Sequence, residues 1–334
     1  MKNKNLQAVL GIIFGILLLL LLGRSLELEK VIMNIKNVNI KYIVLSSFFY
    51  VASYFFRSLR WRELLKPVIA IGRIESFLFW MGGNFINYVI PIRAGELAKS
   101  IFLKKKRDIS VSASLPSVFI DKMFDFAGII LILALLPFLS IKMNTGLISV
   151  ISVLVFFAIC GTLILIFSAK HQKGIISFFS FFVRKLPEKY HDKINGFIEI
   201  FIGGVGLFKN RMNLLPNVLF LTFISVFLDG MFFYMLFEAF SVEIEFLKLL
   251  FGYTLIYLSY AIPQPPAQLG SNEWIMLIIF SLGLGMEKNS VSSIMIFSHT
   301  LTGILLSVIG IAGISFSGFK FTNLDFRGYN DRKS

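Results

Sequence analysis

Charged residues inside otherwise apolar stretches are the groups of this sequence that could do chemistry. Arg93 and Glu96 follow Pro91, at a break between the apolar stretches 74–90 and 94–103. Proline ends the entering helix, and the N–H groups that begin the next helix point at the break. Together with the Arg93 guanidinium, they predict an anion site suited to phosphate. The predicted substrate-binding residues are Asn87, Pro91, Arg93, Gly95, Glu96 and Lys99.

Asp121 and Asp125 are four residues apart in the next apolar stretch, so they share one helix face. They could hold Arg93 or Lys99 in the absence of a ligand, or take up a proton. Two structural alternatives stay open: the acids could belong to an ion-pair network, and Arg93 and Glu96 could form an ion pair that locks the turn. The predicted gating or charge-balancing residues are Asp121, Lys122, Asp125, Asp229, Gly270, Glu273 and His299.

Glu273 and His299 each have a functional and a structural interpretation. Glu273 stands at the predicted start of a helix, where the helix dipole favours a negative charge, and it could also act on a ligand. His299 could relay a proton, or it could be a hydrogen-bonded residue of a helix bundle. A charge at bilayer depth costs at least a few kcal/mol, which makes such residues functional candidates by default.

The composition is that of a membrane protein. Of 334 residues, 56% are hydrophobic and 16% are charged, against about 25% charged in a typical soluble domain. The net charge of +14 would also fit a nucleic-acid-binding protein, but the basic residues fall at predicted cytoplasmic loops. The single cysteine, Cys160, excludes a disulfide framework and a cysteine-rich zinc site.

The sequence contains none of the common motifs of nucleotide-driven, metal-dependent or serine-nucleophile enzymes. A G-x-x-x-x-G-K-[ST] phosphate loop, an H-E-x-x-H zinc motif and a G-x-S-x-G nucleophile turn are all missing. We therefore predict no enzymatic activity, no cofactor and no metal site. We also predict that nucleic acid is not a partner.

Six apolar segments qualify, or nearly so, as full transmembrane helices, which need about 20 residues. They are residues 6–23, 42–56, 115–140, 147–168, 214–240 and 291–318. The first is interpreted as a retained span, because no signal-peptide cleavage site follows it. Two further apolar stretches, 74–103 and 247–285, are broken by prolines and glycines.

Clusters of lysine and arginine in short loops mark the cytoplasmic side of a membrane protein. Such clusters flank residues 74–103 on both sides, with Arg57, Arg60, Arg62, Lys66 and Arg73 before them and Lys104, Lys105, Lys106 and Arg107 after them. This stretch is therefore predicted to be a re-entrant hairpin that enters from the cytoplasm and returns to it. Residues 247–285 lie between two loops that are not basic, and they are predicted to form a re-entrant hairpin from the outside.

The resulting order of spans and hairpins is an inverted repeat. The motif Asn87-Tyr88-Val89-Ile90-Pro91 resembles Ser259-Tyr260-Ala261-Ile262-Pro263 at the corresponding point of the second half. Paired, interrupted segments of this kind point to a transport site near the bilayer midplane. The predicted fold class is an all-α polytopic membrane protein with six full transmembrane helices and two re-entrant helical hairpins.

The chain is predicted to divide into two membrane repeats joined by a linker. The first repeat covers 1–168, and its last span, 147–168, leads into the second half. Residues 169–213 are predicted to be a cytoplasmic amphipathic linker that lies on anionic headgroups. The second repeat continues over 214–318, and 319–334 form a cytoplasmic tail. Both termini are predicted to be cytoplasmic, in a multi-pass protein of the plasma membrane.

Three motifs resemble the flippase-like membrane region of lysylphosphatidylglycerol synthases and its stand-alone relatives, over roughly residues 6–318. Residues 87–96 are similar to that family's N-x-x-x-P-x-R-x-G-E stretch. Residues 121–125 stand where the family often has E-R-x-x-D, with Asp-Lys in place of Glu-Arg, and 263–273 stand where it has a P-x-P-G-G-x-G-x-x-E-like turn. The resemblance implies movement of a lipid with a charged headgroup between leaflets. The soluble domain that transfers an aminoacyl group from tRNA in the full-length synthases is expected to be missing.

We predict a lipid translocase whose cargo is an anionic membrane lipid, either a phospholipid or a polyprenyl-phosphate-linked sugar. Its partners are the lipid bilayer and, for an accessory role, a lipid-modifying or glycan-assembly enzyme. Three alternatives stay open at this point: a secondary transporter of a small soluble anion, a membrane enzyme that acts on a lipid, and a non-catalytic accessory subunit. A soluble anion needs a closed aqueous cavity and a lipid needs a groove open to the bilayer, and the sequence does not separate the two.

Overall fold

The computed structural model describes residues 2–90, 94–133, 156, 172–184, 191–206, 212–259 and 264–319. These ranges are helical, with no strand among them, which confirms the predicted all-α fold class. Their α-helices are α1 (Lys2–Arg24), α2 (Leu28–Lys36), α3 (Ile40–Leu65), α4 (Arg73–Val89), α5 (Gly95–Arg107), α6 (Val111–Leu133), α7 (Gln172–Val183), α8 (His191–Gly206), α9 (Leu215–Ala239), α10 (Phe246–Ser259), α11 (Ser271–Met276) and α12 (Lys288–Ser317). A π-helix, Leu277–Gly283, continues α11, and short 3₁₀ turns lie at Met212–Leu214 and Pro266–Gln268.

Three of the described helices, α3, α9 and α12, are long and apolar enough to cross a membrane. They contain most of the predicted spans 42–56, 214–240 and 291–318. Among the shorter apolar helices, residues 12–24 of α1 belong to the predicted first span. The predicted span 147–168 lies outside the described residues except for Phe156, and so do residues 134–140 of the span 115–140.

α3 is longer than the sequence analysis predicted. The apolar stretch was expected to end at Phe56, but the helix continues for two more turns to Leu65. No glycine or proline interrupts the chain until Pro67, so nothing in the local sequence stops the helix after the first arginine. Arg57 and Arg60 consequently belong to the helix and are buried, whereas the sequence analysis assigned them to a cytoplasmic basic cluster.

A short amphipathic helix, α2, connects α1 to α3 and was not predicted. It buries Val31 and leaves Ile32 and Met33 exposed. Asn34 donates a side-chain hydrogen bond to the Ser293 hydroxyl at 3.2 Å, which fixes α2 against α12. Nine residues of mixed composition give no transmembrane signal, and this explains why hydropathy did not reveal the helix.

Small residues allow α4 and α12 to pack closely. A Cβ atom added to Gly313 would lie 2.0 Å from the backbone oxygen of Leu78, and one added to Gly82 would lie 3.2 Å from the backbone nitrogen of Ile314. Close backbone approach at small residues is the usual device for helix association inside a membrane, where no hydrophobic drive operates between helices. The glycines therefore set the distance between α4 and α12.

The first broken stretch consists of two helices, α4 and α5, that pack against each other. The Gly95 N–H donates to Oδ1 of Asn87 at 2.7 Å, so the last turns of α4 supply a hydrogen bond to the start of α5. A Cβ atom on Gly95 would lie 1.8 Å from the backbone oxygen of Gly83, and only glycine fits there. Pro91 and Arg93 lie outside the described residues.

The second broken stretch consists of α10, the 3₁₀ turn and α11, and it packs against α1. Gly270 has φ 73°, a conformation that favours glycine, and its Cβ position would lie 2.6 Å from the backbone oxygen of Gly15. The Trp274 indole donates to the backbone oxygen of Leu18 at 2.9 Å. α1 therefore braces the start of α11.

The stretch predicted to be an amphipathic linker contains two helices, α7 and α8. The Ser180 hydroxyl donates to the Asn195 side chain at 3.0 Å, which joins the two helices, and α8 also packs against α6. Phe178 and Phe181 of α7 expose more than half of their surface. The position of these helices on lipid headgroups stays a prediction.

We predict that Gly313→Ala destabilises the protein by about 1–3 kcal/mol or more, because the added methyl group overlaps the rigid backbone of α4. Gly203→Ala is the matched control, since Gly203 lies inside α8 with no other heavy atom within 4 Å of its Cβ position. The measurement is the thermal unfolding midpoint of each purified variant in detergent. Equal midpoints for the two variants would contradict the close α4–α12 packing.

Candidate functional site

A buried ion pair joins α3 to α9. The Arg57 guanidinium makes two hydrogen bonds to the Asp229 carboxylate, with Nη1 donating to Oδ1 at 3.0 Å and Nη2 donating to Oδ2. The hydroxyls of Ser53 and Tyr253 each donate a hydrogen bond to the same carboxylate, that of Tyr253 at 2.8 Å. Arg57 and Asp229 are each 5% exposed, so water does little to weaken their attraction.

Arg60, almost one helical turn after Arg57, is held by two acids of α6. Its Nε donates to Oδ1 of Asp121 at 2.7 Å, and its Nη2 donates to Oδ1 of Asp125 at 2.5 Å. Nη1 reaches the Thr222 hydroxyl of α9 at 3.3 Å. Arg60 is completely buried, and three helices therefore meet around one guanidinium.

Lys122 extends these ion pairs from α6 to α5. Its Nζ lies 3.1 Å from Oδ2 of Asp125 and 3.2 Å from Oε1 of Glu96. Glu96 also pairs with Lys99 at 2.8 Å, and Nε of Arg57 lies 3.8 Å from Oδ1 of Asp125. The contacts are thus continuous. We use the name ionic chain for the eight residues Arg57, Arg60, Glu96, Lys99, Asp121, Lys122, Asp125 and Asp229.

The ionic chain contains four basic and four acidic side chains, so its formal charges cancel. Removing an ion from water costs several kcal/mol, and only close partners with good geometry offset this cost. Every member has at least one such partner. Lys99, which has no exposed surface, also lies 4.3 Å from the centre of the Trp80 ring. The ionic chain fixes the relative positions of α3, α5, α6 and α9.

Glu273 and His299 form a second buried pair, between α11 and α12. Nδ1 of His299 hydrogen-bonds Oε1 of Glu273. Nε2 of His299 lies 2.8 Å from the backbone oxygen of Ala267 and 3.2 Å from the Tyr88 hydroxyl. The second carboxylate oxygen of Glu273 is buried and has no hydrogen-bond partner among the described residues. His299 therefore contacts both broken stretches.

A cavity of about 200 Å³ lies between the ionic chain and His299. Its charged lining residues are Glu96, Lys122, Asp125 and Asp229. The other polar lining residues are tyrosines, amides and hydroxyls: Tyr50, Tyr54, Tyr88, Tyr253, Tyr257, Asn84, Asn87, Gln264, Gln268, Asn272, Ser298 and Thr302. Such walls offer hydrogen-bond donors, acceptors and aromatic faces to a small polar or charged group. Within the described ranges, no three His, Cys, Asp or Glu residues come together as a metal site would require.

The structure brings together most of the predicted site residues. Six of them belong to the ionic chain: Glu96, Lys99, Asp121, Lys122, Asp125 and Asp229. Asn87 and Gly95 lie beside it. Glu273 and His299 pair with each other across the cavity. Gly270 is the exception, since it packs against α1 and does not line the cavity. Arg93 and Pro91, which carry the predicted phosphate site, lie outside the described residues, and their role stays a prediction.

Among the described residues, Asp121 and Asp125 bind Arg60, and Asp125 also binds Lys122. Lys99, one of the two expected partners, pairs with Glu96 instead, and the other, Arg93, lies outside the described residues. Arg60 was not expected as a partner, because the predicted end of the span at Phe56 left Arg57 and Arg60 in a loop. A signal for these arginines was available, because they are three residues apart in a stretch without glycine or proline, and a helix would carry both on one face.

Comparisons with known proteins agree with a membrane function. A family model described as the lysylphosphatidylglycerol synthase TM region matches residues 8–310 of the chain. A UPF0104 membrane protein of Methanocaldococcus jannaschii is 28% identical over 200 residues, which are 59% of this chain and 80% of the relative. A UPF0104 membrane protein of Methanothermobacter thermautotrophicus is 22% identical over 333 residues, which are 95% of this chain and 97% of the relative.

A more limited similarity connects the chain to an enzyme. Glycosyltransferase AglD of Haloferax volcanii is 26% identical over 140 residues, which are 39% of this chain and 22% of AglD. No solved structure matches the chain. The comparisons support a membrane function related to lipids.

A double-mutant cycle tests the ion pair between Arg57 and Asp229. We predict that Arg57→Leu and Asp229→Leu each destabilise the protein by about 3–5 kcal/mol, because each leaves an uncompensated buried charge. The double variant should be markedly more stable than the sum of the single effects predicts, since it leaves neither charge behind. The measurement is unfolding by denaturant in mixed micelles.

The exposed pair Lys30–Glu27 is the matched control for this cycle, with side chains that are 58% and 62% exposed. Changes to this pair should leave the free energy of unfolding almost unchanged, because water and salt screen the attraction between exposed charges. Strictly additive effects at Arg57 and Asp229 would contradict a direct buried ion pair.

Proposed function

This chain belongs to the family of the lysylphosphatidylglycerol synthase TM region, and we propose that it is a membrane lipid translocase. The proposed cargo is a lipid with a charged headgroup, either a phospholipid or a polyprenyl-phosphate-linked lipid. The observation that carries the proposal is the cavity between the two broken stretches, lined by both signs of charge in a chain that is 56% hydrophobic. Buried charges of this kind mark ion or substrate pathways in membrane proteins.

The size of the cavity supports a headgroup as the part of the lipid that it accommodates. At about 200 Å³ it is smaller than the roughly 300–1,000 Å³ of pockets that enclose whole drug-sized ligands. A headgroup could enter it while the acyl or prenyl chains stay in the bilayer. Lys122 and the amides of Asn84 and Asn87 are among the lining groups that could donate hydrogen bonds to a phosphate.

Packing between the helices supports an inverted repeat. α4 packs against α12 and α10 packs against α6; α5 packs against α6 and α11 packs against α12; α3 packs along α9. Exchanging α3 with α9, α4 with α10, α5 with α11 and α6 with α12 converts the contacts of the first two pairs into each other and leaves the α3–α9 contact unchanged. A twofold relation between the halves would produce this pattern.

The buried ion pairs support the same relation. Glu96, in the first turn of α5, pairs with Lys122 of α6, and Glu273, in the first turn of α11, pairs with His299 of α12. Lys122 follows Glu96 by the same 26 residues that separate His299 from Glu273. Each half would thus place one acid at the start of its returning helix and one base on the helix that follows. Transporters built from inverted repeats use such interrupted helices at their binding sites.

In the proposed topology, α4 with α5 and α10 with α11 are re-entrant hairpins that meet near mid-depth, and both termini are cytoplasmic, at the plasma membrane. The basic residues of the last turn of α5 would attract anionic lipid. Arg93 and the start of α5 would contact the phosphate, and the ionic chain would balance its charge. The similarity to part of AglD supports a lipid-modifying or glycan-assembly enzyme as a partner.

Cysteine labelling tests the proposed topology. We predict that Lys105→Cys reacts with a membrane-impermeant maleimide only from the cytoplasmic side and that Glu287→Cys reacts only from the outside. Both variants are made in a Cys160→Ser background, which itself should not react and serves as the control. Reaction of both cysteines from the same side would contradict the inverted repeat.

Reconstitution into liposomes tests translocation and the role of Arg93. We predict that the purified protein exchanges one class of labelled lipid between leaflets. Arg93→Ala should slow this exchange about tenfold or more, because a hydrogen bond to a charged group contributes about 1.5–3 kcal/mol. Arg93→Lys should restore little of the exchange rate, since an ammonium group cannot make the bidentate hydrogen bonds of a guanidinium to a phosphate.

Lys36→Ala is the control for this assay, because Lys36 is an exposed basic residue of α2 that does not line the cavity. It should exchange lipid at the wild-type rate. The assay uses a panel of anionic, zwitterionic and polyprenyl-phosphate lipids. Absence of exchange for every lipid, or equal rates in the wild type and Arg93→Ala, would contradict the proposal.

A further inference from the structure

His299 of α12 contacts both broken stretches. Its Nε2 lies 2.8 Å from the backbone oxygen of Ala267, in the turn before α11, and 3.2 Å from the hydroxyl of Tyr88, near the end of α4. Its Nδ1 hydrogen-bonds Glu273. The ring is 7% exposed, and it lines the cavity described above.

Counting hydrogens shows that this arrangement holds an additional proton. A backbone carbonyl and an ionised carboxylate can only accept hydrogen bonds. The contacts to Ala267 and Glu273 therefore need one hydrogen on Nε2 and another between Nδ1 and the carboxylate. A neutral imidazole supplies only one hydrogen, and an ionised glutamate supplies none. The pair, taken as a unit, thus contains one proton more than neutral His299 with ionised Glu273.

Loss of that proton would change the partner of Nε2. The remaining hydrogen would stay on Nδ1. If it moved to Nε2, the lone pair of Nδ1 would face the negatively charged Glu273 carboxylate and be repelled by it. Nε2 would then repel the Ala267 oxygen and accept a hydrogen bond from the Tyr88 hydroxyl. Deprotonation would release the turn before α11 and strengthen the contact to α4. The protonation state of His299 thus determines which broken stretch its Nε2 binds.

We infer that the Glu273–His299 pair is a proton-binding site that couples proton movement to rearrangement of the two broken stretches. The inference rests on the proposed function, since the coupled process is movement of the lipid. One proton enters the pair from one side of the membrane and leaves it, through the cavity, toward the other. The buried Glu273 oxygen without a partner in the described part of the chain is a further acceptor for it.

The surroundings of His299 leave this pair as the group that titrates. Glu273 and Tyr88 face the ring directly. Across the cavity lie tyrosines of α3 and α10 and charged residues of α5, α6 and α9: Tyr50, Tyr54, Tyr253, Tyr257, Glu96, Lys122, Asp125 and Asp229. The four charged residues are all paired within the ionic chain. α2 contacts α12 at Asn289 and Ser293, which lie well before His299 in the helix.

Nitrogen-15 NMR of histidine-labelled protein in liposomes tests the site without reference to lipid movement. The chain has three histidines, and His299→Gln identifies the signals of the third. We expect Nε2 of His299 to change from protonated to unprotonated as the pH rises. Glu273→Gln should lower the midpoint pH, because it removes the anionic partner, and Tyr88→Phe should raise it, because it removes the donor to the deprotonated ring. A protonation state of Nε2 that stays constant from about pH 4 to about pH 10 would overturn the inference.

Leaflet exchange with and without an imposed pH gradient tests the coupling. We expect a pH gradient to accelerate exchange by the wild type several-fold. In Glu273→Gln and His299→Gln, the ratio of the rate with the gradient to the rate without it should approach one. The ratio corrects for any change in basal rate, and His191→Gln, on α8, is the control that should keep the wild-type ratio. A wild-type ratio of one overturns the coupling. A wild type that moves no lipid at all refutes the proposed function, while the NMR titration still decides whether the proton site exists.

Discussion

The structure depends on keeping eight charged side chains inside an apolar helix bundle. The free-energy cost of removing them from water is offset only while each has a partner in place, because a single missing partner leaves an uncompensated charge. This requirement determines how the helices meet. Arg57 can reach Asp229 only where α3 runs along α9, and Arg60 can reach Asp121 and Asp125 only where α6 approaches the same face of α3. The ionic chain therefore specifies one arrangement of helices among the many that apolar surfaces alone would allow.

The broken stretches impose a second constraint, since backbone groups at a helix end need partners away from water. In the first half the Asn87 side chain accepts from Gly95, and in the second half His299 contacts the backbone oxygen of Ala267. Both partners are side chains that also line the cavity. The groups that stabilise the breaks are thus the groups that a ligand would meet. A headgroup that enters the cavity would compete with these contacts, which connects binding to the conformation of the breaks.

Hydropathy and breakers predicted the class of the fold and the two broken stretches, because long apolar runs and prolines are local signals. Hydropathy failed at Arg57 and Arg60, where the charge of the residues suggested a loop although no glycine or proline ends the helix before Pro67. Their buried acidic partners on α6 and α9 stabilise this continuation. The polar residues of the site were predictable one by one, as charges without an obvious partner in the sequence. Their pairing was not, because an ion pair such as Glu96–Lys122 depends on how distant helices pack. The nine residues of α2 and the tyrosines around the cavity gave no signal, since neither is unusual in composition.

The cavity has acids and bases at its walls and a histidine that touches both breaks, and it is where we propose that a polar group crosses an apolar layer. The central claim is that a lipid headgroup enters this cavity. Photo-crosslinking with two lipid probes tests it most directly on α12, where Thr302 lines the cavity and Ile304 is 57% exposed on the outer surface of the helix. A diazirine in the headgroup should modify Thr302, and a diazirine in the acyl chain should modify Ile304, as mapped by mass spectrometry. Headgroup adducts on Ile304 with none on Thr302 or its cavity neighbours would contradict the account.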